Sequence, residues 1–389
     1  MGRTFLNARL AGGEEPMKFT CDVAALKRAL TLLKLDEPGT HLSITIQTAQ
    51  LQFRCYTDDG NFRVDYAIPA EVEAHGKATV PPEVLSRICD HAVGERLRFS
   101  HHKWHGCLEV DGNQHRHAVR THTGKRQKPE LEALSDAPDY EVQATQFGAA
   151  LKSVLFASVQ PSDSDEANRR PFFTGALFHQ HEGEERIVAT DGRRMAVITL
   201  PSMNKPAEAE TSIPMRAMPY AACMKMIDLI ESLNPNICRL RFTENAVGFE
   251  AEGVSLRCLL PKGDFADYKW VLEKANSARL EIRLSRQELL WALRAIRIGD
   301  DHPHNRTEFR IRDGQLTVEN STRWGNSKAC VPIQYEGQGT AAGFDASFIE
   351  DGLMHTDAAE VIFWMRPEPT DSMRLELAQN FQYVVMPMR

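Results

Sequence analysis

A carboxylate among basic residues can act as an acid, a base or a nucleophile, so Asp191 in "ATDGRR" at 189–194 is the first place to look for catalysis. An Asp-Gly pair between two apolar runs is more simply a hairpin turn. No phosphate-cradling GxxxxGK[ST] loop, GxSxG elbow or HExxH helix accompanies it. "HHKWH" at 101–105 offers imidazoles for a metal. On a strand, His101 and His105 share a face but stand too far apart to chelate an ion as a pair. Eight cysteines, at 21, 55, 89, 107, 223, 238, 258 and 330, form no CxxC pair and no closely spaced framework. That is the usage of reduced thiols in a cytoplasmic protein. The residues therefore predict no catalytic group, no metal and no cofactor.

With no chemistry to host, the 389 residues must be organised for something else, and that length suggests two or three domains. A composition 42% hydrophobic and 25% charged is that of a globular protein. No run approaches the roughly 18 to 20 apolar residues of a membrane span. The first sixteen residues, "MGRTFLNARLAGGEEP", lack the apolar core of a secretory signal and read as an extension before Met17. The net charge of −7 argues against a generic DNA binder, but not against a protein that is acidic outside and basic on one inner surface.

Repetition is the strongest signal. "DVAALKRALTLLK" at 22–34 has an Asp cap and apolar Leu26, Leu30 and Leu33 at helical spacing. "TQFGAALKSVL" at 145–155 repeats this, with Thr145 as cap, and "SRQELLWALRAI" at 285–296 does so with Ser285. The copies lie about 125 to 140 residues apart, the spacing of whole domains. A second helix recurs at 81–92, 219–230 and 345–354, with alternating runs and Asp-Gly turns between. Each third reads as two helices on one face of an antiparallel sheet, an α+β unit in three tandem copies. Such sheets can continue edge to edge, and a dimer can close into a ring with no open edge.

"RIVATDGRRMAV" at 186–197, "PKGDFADYKWVL" at 261–272 and the terminal "YVVMPMR" resemble the bacterial DNA polymerase sliding clamp, the beta subunit of the replicase. "KATVPPEVLSRIC", "RRPFFTGALF" and "AAGFDASFIEDGL" support the likeness, which covers Met17 to the end and is weakest in the first third. The resemblance implies the DNA clamp fold, with domains at 17–137, 138–275 and 276–389, and a head-to-tail homodimer closed round duplex DNA. It implies an accessory subunit, not an enzyme. Its partners would be double-stranded DNA held without regard to sequence, DNA polymerase III and other proteins carrying clamp-binding peptides, and a clamp loader, with no membrane.

By matching motifs, an apolar peptide groove would take Phe173, Thr190, Gly192, Arg193, Arg194, Met195, Ala266, Trp270, Val271, Ser372, Val384, Met386, Pro387, Met388 and Arg389. Methionines suit such a site because they repack around different ligands. Arg194 and Arg389 are expected to hold peptide carbonyls or acidic flanks. Trp270 stands where many members have arginine, Phe173 where they have a smaller aliphatic, and Ala266 where proline is frequent. These changes predict a narrower, more apolar pocket.

If the repeated helices line a hole, their solvent faces should be basic. Lys27, Arg28, Lys34, Arg87, Lys152, Lys225, Arg286, Arg294 and Arg297 fit that expectation, with Arg169 and Arg170 on a loop nearby. Contacts of this kind go to phosphates, without base readout. The last helix carries Asp345, Glu350 and Asp351 instead, which does not fit. The basic "GKRQK" at 124–128 reads as a solvated loop able to touch backbone.

The family's dimer seam would pair His117 and Val119 with Ile296, Ile298 and Gly299. His117 stands at a position usually aromatic, which predicts a seam weakened by protonation. The changed seam, the weak first third and the acidic last helix also suit a diverged paralogue from a mobile element, one that binds clamp partners or a resident clamp without forming a productive ring.

Overall fold

A computed structural model describes residues 17–37, 39–47, 50–102, 106–122, 134, 137–181, 183–201, 213–277, 280–297, 306–335, 337, 339–365 and 371–388. Expectations placed on 1–16, on 103–105 of the histidine run, on 124–128, on Ile298 and Gly299, and on Arg389 lie outside the described residues. Among the described residues there are eight α-helices: α1 Val23–Leu33, α2 Pro82–Asp90, α3 Ala144–Val154, α4 Ser164–Arg169, α5 Tyr220–Leu233, α6 Tyr268–Asn276, α7 Arg286–Ile296 and α8 Ala346–Met354. The strands pair antiparallel throughout.

One junction recurs three times. A strand runs straight into a helix, and its last residue pairs with the first residue of another strand: Asp22 with Arg96, Gln143 with Ile237, Ser285 with Glu360. The helix's first N–H, an orphan donor by geometry, then donates to the carbonyl just before that partner strand. Val23 reaches Glu95 at 2.8 Å, Ala144 reaches Asn236 at 3.1 Å, and Arg286 reaches Ala359 at 3.0 Å. Asp22 and Ser285 also cap α1 and α7 through their side chains. The expected Thr145 cap is two residues out: α3 begins at Ala144, its N-cap is Gln143, and Gln143 makes no side-chain cap bond. The backbone bond from Ala144 to Asn236 already anchors that end.

The first compact unit comprises the chain before 134 together with Gly248–Cys258. One of its sheets runs, strand by strand, Glu71–Ala74, Met17–Asp22, Arg96–His102, Cys107–Asp111, Arg116–Arg120, so the last lies at an edge. Phe19 stacks on Phe99 within it, ring centroids 4.5 Å apart. A second sheet joins Lys77–Val80, Thr40–Gln47, Gln50–Thr57 and Phe62–Pro69, and residues 255–258 pair with 62–65 at its far side. Alternation along these strands buries Leu42, Ile44 and Ile46 against Leu51, Phe53 and Cys55. Helices α1 and α2 pack on one another and on this sheet.

The second unit comprises 134–247 and 259–389. Its principal sheet has the order Met218–Pro219, Gly175–His181, Glu184–Thr190, Arg194–Leu200, Phe381–Val385, Met373–Ala378, Glu360–Met365, Leu280–Ser285. The chain's final strand is thus a central one, with Tyr383, Val384 and Val385 fully enclosed. Gly352 of α8 permits this. A Cβ there would stand 2.6 Å from the Tyr383 ring, so only glycine lets the helix approach so closely. A four-stranded sheet, Gly325–Pro332, Gln315–Thr322, Arg306–Arg312, Thr340–Asp345, carries α7, and α8 packs on α7 and on the final strand Phe381–Val385. Asp313 and Gly314 both take positive φ in its two-residue hairpin, as a turn matched to strand twist requires.

Candidate functional site

The Asp191-Gly192-Arg193 turn joins two neighbouring strands of the principal sheet. Asp191 Oδ1 accepts from the amides of Arg193, at 2.8 Å, and Arg194, at 3.0 Å. Thr190 Oγ1 donates to the Arg194 carbonyl at 2.5 Å and accepts from the Gly192 amide at 3.0 Å. Gly192 has φ +86, and a Cβ there would sit 3.4 Å from Phe173. The carboxylate is therefore a turn former, its oxygens engaged by the backbone and by Arg194.

Arg194 is engaged by the protein itself. Its Nε donates to Asp191 Oδ2 at 3.0 Å, its Nη1 to Asp351, and its Nη2 to the Phe156 carbonyl at 2.9 Å. The guanidinium also lies 4.6 Å from the centroid of the Phe348 ring. Burial opposes its charge, but Tyr383, Asp191 and Asp351 together raise its pKa above the usual arginine value. The expectation that Arg194 holds a partner peptide is corrected: its donors are directed into the protein.

The other motif residues do converge. Met195 stands directly opposite Val384 on adjacent strands. Both belong to one buried apolar cluster with Phe173, Phe265, Tyr268 and Leu272, and Val271 packs against it. Phe173 meets Phe172 and Phe265 edge-on, at 4.7 and 5.8 Å between centroids. Beyond Val385 the chain continues as a tail. The Met386 amide donates to the Arg193 carbonyl at 2.8 Å, and the Met388 amide to the Gly343 carbonyl at 2.8 Å. Met386 is 41% exposed, while Pro387, Met388 and Ser372 are half-buried and Arg193 and Ala266 are exposed. Trp270 is 62% exposed on α6.

The expected groove set left out Phe265, Tyr268 and Leu272, which belong to the same buried cluster. Their i, i+3, i+7 spacing in "FADYKWVL" was the available signal. The Tyr268 hydroxyl meets His179 Nδ1 at 2.7 Å, and burial pushes the Tyr268 phenol up from its ordinary value.

The expected DNA-facing residues fall into three groups. Lys27, Arg28, Lys34 and Arg87 are exposed, Lys34 paired with Asp36 at 2.9 Å, and Lys27, Lys34 and Arg87 line a cleft of about 400 Å³ beside α1 and α2. Lys152, Arg169 and Arg170 are exposed but tethered, Lys152 to Glu231 at 3.1 Å and both arginines to Glu166. The remainder are held by the protein itself. Lys225 is only 7% exposed, its ammonium 2.6 Å from Asp228, which corrects its place on a solvent face. Arg286 donates to the Leu353 carbonyl at 3.0 Å. Arg294 and Arg297 converge on Glu350, at 2.8 and 2.9 Å. The acids of α8 are matched one by one: Asp345 caps the helix at the Ser347 amide, Glu350 takes two arginines, and Asp351 takes Arg194.

Of the expected seam, Val119 is buried opposite Leu108, and His117 is exposed on the edge strand opposite Val110. Its ring lies 5.1 Å from that of His115. Ile296 is 1% exposed, part of the core beneath α7, which corrects its place on a free surface.

No protein-family model matches the chain. Among curated proteins it is 25% identical over 267 residues to a beta sliding clamp of Chlamydia pneumoniae, covering 68% of this chain and 69% of that one. It is 22% identical over 324 residues to a beta sliding clamp of Chlamydia trachomatis, covering 83% and 74%. Among solved structures it superposes on the DNA polymerase III subunit beta from Pseudomonas aeruginosa with a TM-score of 0.82 at 20% identity, covering 96% of this chain and 100% of that one.

Proposed function

We propose, from the premise that this chain is a divergent member of the beta sliding clamp family, that it acts as a DNA sliding clamp. In this reading it is an accessory subunit of DNA polymerase III and catalyses nothing itself. Three domains, 17–137, 138–275 and 276–389, form each subunit, and two subunits close head to tail round duplex DNA in the cytoplasm. A clamp loader opens the ring, and polymerase and other partners dock by short peptides.

The observation that carries the reading is the convergence of Phe173, Met195, Val271 and Val384, from four separate sequence segments, on one apolar cluster bordered by the exposed Met386. A metabolic enzyme has no use for a methionine-edged apolar groove with no reactive group beside it. A protein that receives many peptides does. Lys27, Arg28, Lys34 and Arg87 supply sequence-independent attraction to phosphates. The strand Arg116–Arg120, at the open edge of its sheet, supports a seam made by strand pairing.

Light scattering after size exclusion tests the reading. A particle of twice the chain mass, retained on nicked circular DNA and released when the circle is cut, is the expected result. A stable monomer would overturn the autonomous ring and favour the paralogue that binds partners without encircling DNA.

A further inference from the structure

Trp270 is 62% exposed although its neighbour Val271 packs on the apolar cluster. The ring is not loose. Lys274, one turn further along α6, places its ammonium 5.7 Å from the ring centroid. Lys274 is in turn fixed 3.3 Å from the buried carboxylate of Asp371. One face of the indole is therefore braced, and the lysine charge that braces it is matched by Asp371.

Two carboxylates flank Trp270 along the chain. Asp267 and Glu273 lie three residues before and after Trp270, the spacing that brings side chains to one face of a helix. Both are exposed, and among the described residues neither has an ion-pair partner. Asp267 occupies the N-cap position of α6 but makes no side-chain cap bond, so its carboxylate is not committed to the helix. A held aromatic ring with an uncommitted carboxylate three residues to either side suits a planar cation. A guanidinium stacks on indole and pairs with carboxylates at the same time, which an ammonium does less well.

We propose that Trp270, Asp267 and Glu273 form a shelf at the rim of the groove that receives an arginine flanking the apolar anchor of a partner peptide. The shelf selects among partners by that one residue. This rests on the groove reading above, and deepens it by naming the chemistry of the flank.

Fluorescence anisotropy with labelled synthetic peptides tests it. The peptides share a leucine-rich core and carry Arg, Ala, Glu or Phe on either side of it. The wild-type chain is expected to bind the Arg-flanked peptide about 3- to 10-fold more tightly than the Ala-flanked one, and the Glu-flanked one most weakly. Trp270→Ala, and separately the pair D267N and E273Q, should each bring the Arg advantage below about twofold, and D267N with E273Q should do so while leaving the Ala-flanked peptide's affinity in place. These residues are exposed, so an unchanged thermal unfolding curve certifies the variants. Equal binding of Arg- and Ala-flanked peptides overturns the shelf, as does an Arg preference that survives Trp270→Ala. A Phe flank that gains as much as Arg, in the wild type and in D267N with E273Q alike, overturns it in favour of plain stacking. Binding of no peptide at all instead overturns the groove reading itself, and the shelf with it.

Discussion

Arg194 donates to the carboxylate of Asp351, which lies 157 residues further along the chain. The same guanidinium ties down the Asp191 turn and the Phe156 carbonyl. It is a tie between segments distant in sequence. Replacing it with the apolar, similarly long methionine leaves Asp191 and Asp351 facing a side chain that cannot donate. Arg194→Met is expected to lower unfolding stability by about 3 kcal/mol, in the range for breaking a partly buried pair. Urea denaturation followed by circular dichroism measures it. A loss below about 1 kcal/mol, the value of a surface pair, would show that the network contributes no more than one.

Basic residues of the helices should separate by what already holds them. Removing Lys27, Arg28 and Arg87 together is expected to weaken non-specific binding to duplex DNA and to reduce the salt slope by about 0.9 for each phosphate no longer neutralised. Replacing Arg294 and Arg297 should leave that slope in place, because both guanidinia already lie on Glu350. Lys225→Gln should do the same, its ammonium being buried against Asp228. Titration of labelled duplex at several salt concentrations distinguishes the sets, and equal effects from all of them would sink the division.

Alkaline stability follows from the thiols. Burial pushes Cys21, Cys89, Cys223 and Cys238 up to about 12 from an ordinary value of 9.0. Above pH 9 the unfolded chain releases these protons while the folded chain keeps them, so folding is favoured below that pH and loses ground as pH rises towards 12. Each such thiol makes stability fall by up to about 1.4 kcal/mol per pH unit in that window. Denaturation midpoints taken at intervals from mildly to strongly alkaline buffer, with reductant present, should decline progressively, and Cys223→Ala should make the decline shallower. In the native protein at mildly alkaline pH, iodoacetamide should label the exposed Cys330 well before these four.

The edge strand gives a test of the seam. Ala118 lies within Arg116–Arg120 and pairs on its inner side with Glu109. A proline at 118 lacks the amide that an incoming strand needs on an open edge. Ala118→Pro is expected to shift the solution mass from two chains to one while the thermal unfolding of the isolated subunit survives. Val110→Ala, a change inside the same sheet, should cost stability without the shift in mass. Persistence of the dimer in the proline variant would place the seam elsewhere.

Much of this was legible in the sequence. Leu26, Leu30 and Leu33, or Phe147, Leu151 and Val154, announce helices because helical spacing follows directly from burying one face. The Asp-Gly turns were readable for the same local reason. That Phe173, Met195 and Val384 come together in one apolar cluster was readable only through resemblance, since they come from segments that no periodicity connects. What sequence could not give was the partner of each charge. Lys225 and Lys152 look alike as letters, yet one is buried against Asp228 and the other exposed beside Glu231. Arg194 looked like a hand extended to a ligand because Asp351, which holds it, is so far away along the chain. Long-range pairing decides whether a charge is available, and pairing at that distance is a property of the fold.

The edge strand Arg116–Arg120 also bears on the life of a newly made subunit. A row of open amides and carbonyls invites any other extended chain to add itself. Four of its five residues are exposed, three of them Arg116, His117 and Arg120, and Arg116 lies against Glu109 and Asp111 of the neighbouring strand. An intruding apolar segment would have to lie against these cationic and imidazole groups, which favours rejection. If a second subunit pairs at this edge as proposed, the basic residues spaced along it would let a subunit remain single until a matching edge arrives.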